Sequence, residues 1–220
     1  MPARHERLLI GVDDVGSGAI AGPYIACAVA LDPDVVLPRD VRDSKLLSRE
    51  QREALEPVLS LLVRGYAFGE LDEWDAIRVG YYWASFHAMA QAVKKLCEEC
   101  GLSVGSAQPV IVDGLRFLPG IPHASQKPRA HADRDFPCVS IASILAKVWR
   151  DREMEKLGQP FPEYGWAKNA GYGVPEHLAA LREHGVTYLH RLGMRPLKAI
   201  LEERKAAGLP IYPPLIEAGR

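Results

Sequence analysis

The sequence predicts an α/β fold, a mixed sheet flanked by helices and followed by a helical C-terminal region. Three observations point to it. Short apolar runs bounded by turn residues fill the first third of the chain. From Asp75 onward apolar residues recur at helical spacing. Past that point a single compact strand pattern, Pro109 to Val112, interrupts the helices.

Taken in order, Leu8 to Val12 reads as a first strand running into Asp13-Asp14, and Ile25 to Leu31 as a second, stopped by Asp32-Pro33-Asp34. Ser48 can cap a helix, with Gln51 as its capping-box partner. Leu61 to Phe68 reads as a third strand. Asp75 to Cys100 reads as one helix with Ile77, Trp83, Phe86, Met89, Ala90 and Val93 on its apolar stripe. The strand Pro109–Val112 ends at Asp113-Gly114, and Asp133 and Asp135 precede a helix starting near Cys138. Val139 to Leu157 is helical, with Ala142, Leu145, Val148 and Trp149 on one face. Pro175–Glu183 and Pro196–Ala207 are helices opened by proline, whose missing N–H costs nothing in a first turn.

The 220 residues suit one domain, with a sheet-and-helix core over about 8–158 and a helical part over about 159–220. With 48% hydrophobic and 25% charged residues, the composition excludes a disordered chain. No run nears the roughly 20 apolar residues that span a bilayer, so no membrane association is expected. Met1 to Arg7 lacks the apolar stretch of a secretory signal, and a cytoplasmic monomer is expected. Cys97 and Cys100 have CxxC spacing without a second pair at finger spacing, which favours free thiols over zinc. A net charge of −1 argues against an electrostatic coat for nucleic acid. The charge is uneven, however. Residues 1–113 carry 11 basic and 17 acidic side chains, whereas residues 114–220 carry 16 and 11, a local footprint for phosphates.

The loop from Gly11 to Pro23 holds the densest chemistry. Gly16-Ser17-Gly18-Ala19-Ile20-Ala21 fits a GxGxxA dinucleotide fingerprint. Two facts oppose that reading: Asp13 and Asp14 would repel a pyrophosphate, and Gly22-Pro23 breaks the helix that should follow. Paired carboxylates at a strand end suit a hard divalent cation instead, and glycines let backbone approach a bulky polyanion. Asp113, at the end of an apolar strand, can join them, and Asp133 or Asp135 can come from the helix start.

Asp13-Asp14-x-Gly-x-Gly, Arg42-Asp43-Ser44-Lys45-Leu46, Val112-Asp113-Gly114 and Ser140-Ile141-Ala142-Ser143-Ile144-Leu145-Ala146-Lys147-Val148 with Arg150-Asp151 together resemble ribonuclease HII in order and spacing. Tyr164-Gly165-Trp166-Ala167-Lys168, Gly171-Tyr172-Gly173 and His190-Arg191 extend the resemblance over about residues 8–198. It implies a ribonuclease H-like sheet, and an endonuclease that hydrolyses the RNA strand of RNA–DNA hybrids or of ribonucleotide-containing duplex DNA. Two divalent ions, Mg2+ or Mn2+, would be held by Asp13, Asp14, Asp113 and Asp133, leaving 5′-phosphate and 3′-hydroxyl ends. Asp133 is chosen over Asp135 because the family's last acid lies seven residues before the serine matching Ser140. Asp151 reads as structural. The resemblance makes Gly16, Ser17, Gly18 and Tyr172 contacts to the ribonucleotide, and Lys45 a phosphate ligand.

The chain departs from the family pattern at several places. Asp14 stands where glutamate is usual. Gly16-Ser17-Gly18 replaces GRG and is closer to ribonuclease HIII. A lysine pair is reduced to Lys45-Leu46, KHKGYGT becomes Lys168-Asn169-Ala170-Gly171-Tyr172-Gly173-Val174, and His131 stands where a basic residue is common. These changes thin the positive surface and imply weaker cutting at single ribonucleotides. The alternative is a member that binds hybrids without cutting them; keeping four acids beside phosphates favours the enzyme.

Overall fold

The computed structural model describes residues 8–38, 41, 47–105 and 108–212. Five strands form one sheet in the order β3-β2-β1-β4-β5. Strand β1 (Leu9–Val15) lies at its centre, antiparallel to β2 (Tyr24–Leu31) and parallel to β4 (Val110–Asp113). Strand β3 (Gly65–Leu71) closes one side against β2, and β5 (Gln126–Arg129) closes the other, parallel to β4. All eight residues of β2 are buried. A strand covered on both faces has no polar side to show, hence its unbroken apolar sequence.

Helix α1 (Arg49–Leu62) starts at the expected capping box: Gln51 N–H donates to the Ser48 side chain, and the Ser48 N–H donates to the Gln51 side chain. Helices α2 (Glu73–Val79) and α3 (Tyr81–Cys100) follow β3. Ala84, Ala88 and Ala92 give α3 a smooth face that lies close on the sheet. A Cβ at Gly69 of β3 would meet the Ala88 carbonyl at 2.0 Å, so only glycine permits that approach. Beyond β5 come the short α4 (Ala132–Asp135) and the long α5 (Pro137–Gly158). Helix α5 crosses the other sheet face, where a Cβ at Gly11 would meet Cys138 Sγ and the Val139 nitrogen at 2.7 Å.

Two cores result. Leu8, Ile10, Val12, Val110 and Val112 pack beneath α3, while Cys27, Val29 and Ile111 pack beneath α1 and α5. A third forms around Tyr164, Trp166, Leu181 and Leu197 from α6 (Trp166–Asn169), α7 (Pro175–His184), α8 (Arg195–Ala206) and their connections. The helical C-terminal region is therefore as expected, and Cys97 and Cys100 are free thiols.

Three expectations are corrected. Leu61 and Leu62 belong to α1, and the third strand starts only at Gly65. The helix expected over Asp75–Cys100 is two helices, split at Gly80, whose φ of 87° is closed to most L side chains. Two strands, not one, follow the first three, because β5 went unread. Asp133 and Asp135 do precede the helix that starts near Cys138, and they also form a short helix of their own, α4, that was not expected.

Candidate active site

Parallel pairing of β1 with β4, in register through Val12 and Val112, carries Asp13 and Asp113 to the same sheet edge at the strands' C-terminal ends. Strand alternation then sorts the carboxylates by face. Ile111 packs beneath α5, so Asp113 two residues on shares that face. Asp13 lies there too, hydrogen-bonded to Ser143 of α5. Asp14 projects to the α3 side and accepts from Ser85 Oγ at 2.9 Å.

Each carboxylate is held. The Asp14 N–H donates to Asp13 Oδ1 at 2.8 Å, and the Ala132 N–H donates to Asp113 Oδ1 at 2.7 Å. The second bond draws the start of α4 to the end of β4 and brings Asp133 to the same end of the sheet. Asp133 is buried and lines a cleft with Val41, Pro137 and Ser140.

Burial, together with the Asp14 and Asp113 charges, raises the Asp13 carboxyl from its ordinary value to about 8. Ser143 and Lys147 oppose that rise, and the Lys147 ammonium donates to Ser143 Oγ at 2.5 Å. Burial likewise raises Asp14, against the Ser85 hydrogen bond. Among the described residues no three His, Cys, Asp or Glu side chains form a ready cluster for an ion. Even so, the donor chemistry fits hard divalent cations: oxygen ligands whose mutual repulsion Lys147 only partly offsets.

The glycine loop beside these acids is built into the C-terminal region. Ser17 and Gly18 are exposed, and Gly16 has φ 83°, with a Cβ there landing 2.3 Å from the Arg150 guanidinium. Two fully buried arginines hold the loop from below. Arg150 donates to the carbonyls of Pro23, Ala21 and Ala170, and Arg191 to those of Gly16, Ala19, Gly22 and Pro23. Arg191 also lies over the Tyr24 ring, 3.5 Å from its centroid. The Gly171 carbonyl accepts from the Ile20 and Ala21 N–H groups, which sets Tyr172 beside the loop, 38% exposed, with its ring 5.8 Å from the Arg150 guanidinium carbon.

Asp13, Asp14, Asp113, Asp133, Gly16, Ser17, Gly18 and Tyr172 thus sit at or beside one end of the sheet, while Lys45 lies outside the described residues. The glycine loop leads into β2 and not into a helix, which removes the dinucleotide reading. Asp151 pairs with Arg52 at 2.9 Å and joins α5 to α1. Sequence reasoning missed Ser85, and it quoted Ser143, Lys147, Arg150 and Arg191 without giving them a role. Ser85 did leave a signal, a polar residue between Ala84 and Ala88 on the buried face of α3.

A profile of the family described as Ribonuclease HII matches residues 10–195. Ribonuclease HII of Novosphingobium aromaticivorans is 40% identical over 195 residues, covering 86% of this chain and 95% of that protein. The fold is similar to that of the ribonuclease H2 from Pyrococcus horikoshii, with a TM-score of 0.65 and 24% identity over 90% of this chain and 99% of that one. It is also similar to Bst-RNase HIII in complex with Mn2+, with a TM-score of 0.69 and 20% identity over 93% and 72% of the respective chains.

Proposed function

The chain belongs to the ribonuclease HII family of endoribonucleases, and from that premise we propose that it hydrolyses the RNA strand of RNA–DNA hybrids and of ribonucleotide-containing duplex DNA. One observation carries the reading. Asp13 and Asp113, from strands far apart in sequence, meet at one end of the parallel pair, with Asp14 beside them and a glycine loop open to a large substrate.

In this reading Asp13, Asp14, Asp113 and Asp133 hold two divalent ions, Mg2+ or Mn2+, the latter named with the similar HIII structure. The ions, when bound, supply activation of the attacking water and stabilisation of the leaving 3′ oxygen. The chain's own residues do the rest. Ser85 fixes the Asp14 carboxylate, and Ser143 with Lys147 fixes that of Asp13. The Ala132 N–H holds Asp113. The backbone at Gly16–Gly18 and the exposed Tyr172 ring face the ribonucleotide, whose 2′-hydroxyl separates RNA from DNA. Lys45 is assigned a phosphate. The products are a 5′-phosphate and a 3′-hydroxyl.

No helix among the described residues is long and apolar enough to cross a membrane. The same reading puts the enzyme in the cytoplasm as a monomer. Labelled duplexes with an RNA tract, with one embedded ribonucleotide, and with DNA alone test it in Mg2+ and Mn2+. Cleavage confined to ribonucleotide-containing strands is expected. Tight hybrid binding with no cleavage in either metal would instead identify a non-cutting binder.

A further inference from the structure

Several cations of the C-terminal half are tied up within the fold. Arg150, Arg191 and Arg204 are buried and spend their guanidinium groups on backbone carbonyls. Arg152 and Arg182 pair with Glu56 and Glu203, and Lys156 pairs with Glu153. Lys168, Arg195, Lys198 and Lys205 are exposed farther along the chain. Arg116, Lys127, Arg129 and Arg134 form a group of their own. All are exposed, and among the described residues none of these side chains makes a hydrogen bond or ion pair. They fall in one stretch, residues 114–134, whose single acid, Asp133, is buried.

Their placement is ordered. Strand β5 ends the sheet, with Lys127 in register with Ile111 and Arg129 with Asp113. Two residues apart on one strand face, these two cations are spaced about 6.6 Å along it. Arg134 follows on α4, beside Asp133. Arg116 adjoins Phe117, whose exposed ring stacks on His123 at 4.2 Å. Gln126 pins that loop by bonding the Leu118 N–H and the Leu118 and Ile121 carbonyls. Cations on a terminal strand can simply deter edge-to-edge pairing. That accounts for Lys127 and Arg129, but not for Arg116, Arg134 or an exposed aromatic stack.

We propose that the β5 edge is a second nucleic-acid contact, which takes the phosphates of the duplex where it runs on beyond the cleaved bond. The proposal rests on the nuclease reading above. Charge complementarity selects a polyanion, and the shared register of Arg129 and Asp113 makes the edge continuous with the carboxylate site. The Phe117–His123 stack would pack against a sugar or a base.

The test compares wild type with an Arg116→Gln, Lys127→Gln, Arg134→Gln variant on a long hybrid and on one trimmed to the cleavage site. Binding is titrated against salt with Asp113→Asn in both backgrounds, and cleavage is measured without it. On the long hybrid the slope of log affinity against log salt should shrink by about 2.7, near 0.9 for each phosphate released, and KM should rise roughly tenfold. The trimmed hybrid should show neither change, and kcat should stay within about twofold. Arg116→Gln alone should shrink the slope by about 0.9. An unchanged slope and KM on the long hybrid would overturn the proposal, as would an equal loss on both lengths. Failure of the wild type to bind or cut either hybrid would instead remove the nuclease reading itself.

Discussion

Ser85 and Ser17 both hydrogen-bond the Asp14 carboxylate, one from the buried face of α3 and one from the glycine loop. Ser85 donates to Asp14 from the buried face of α3 and so fixes the position of that carboxylate. A hydrogen bond to a charged group is worth about 1.5–3 kcal/mol. Ser85→Ala should therefore lower kcat by roughly tenfold or more while leaving KM within about twofold. Steady-state rates on an RNA-tract hybrid decide it, and a normal kcat would mean that Asp14 holds its place without Ser85. Ser17 is exposed on the glycine loop, so an arginine there meets no packing obstacle, but it gives up the hydrogen bond that the Ser17 side chain makes to the Asp14 carboxylate. Arginine can grip a phosphate with two parallel N–H bonds, which serine cannot. A lone ribonucleotide permits one productive register, so it loses most from a missing contact. Wild type should thus cut RNA tracts better than single ribonucleotides, and Ser17→Arg should narrow the gap chiefly on the latter. Equal kcat/KM values for the two substrates in wild type would refute this. Asp13, Asp14 and Asp113 were legible in the sequence because they close apolar strand patterns, whereas Asp133 was chosen only by its spacing to Ser140. Ser85 was not, because only the fold places α3 against the end of β1.

At the scale of elements, α7 is locked to the Tyr172 turn by two neutral imidazoles. Trp166 Nε1 donates to His177 Nε2 at 3.0 Å, which leaves His177 Nδ1–H to donate to the Tyr172 carbonyl at 2.9 Å. The Thr187 N–H donates to His190 Nδ1, so His190 Nε2–H points at His177. Burial, and then the neighbouring His177, pushes His190 down to about 3, and burial lowers His177 as well. Histidine in the unfolded chain titrates near 6.5. Between that value and the folded one the unfolded state binds more protons. The stabilisation is therefore complete above about pH 6.5 and is lost as pH falls below it, by up to about 1.4 kcal/mol per unit per histidine. Unfolding titrations at about pH 7.5 and pH 5 should show the loss, with a shallower slope for His190→Gln. A flat profile would contradict the neutral pair. Element boundaries were less legible than the elements. The apolar run Leu61-Leu62-Val63 merges with Tyr66–Phe68 in the sequence, yet the helix capped at Ser48 persists to Leu62. Strand β5 carries Gln126, Lys127, Pro128 and Arg129, a polar pattern with a proline that only a terminal strand accepts. What makes it a strand is the parallel partner β4, and a partner leaves no mark in local sequence.

Across the whole molecule, the C-terminal helices and the sheet meet at the glycine loop, through Arg150, Arg191 and the Gly171 carbonyl. The two guanidinium groups place positive charge beneath the glycine loop, and β5, the loop before it and α4 together expose four more cations. The carboxylates sit between them, at the end of the central strand pair. Everything in this arrangement depends on Asp113 serving as an ion ligand and not as a turn residue. The direct measurement is cleavage of the RNA strand of a hybrid by Asp113→Asn in saturating Mg2+ and Mn2+, with thermal unfolding run alongside. Asparagine keeps the shape and can still accept the Ala132 N–H, but it lacks the charge. Cleavage should fall by roughly a hundredfold or more in both metals while the melting temperature stays within a few degrees. Cleavage within about threefold of wild type would contradict the assignment and, with it, the reading of these acids as one metal-binding site.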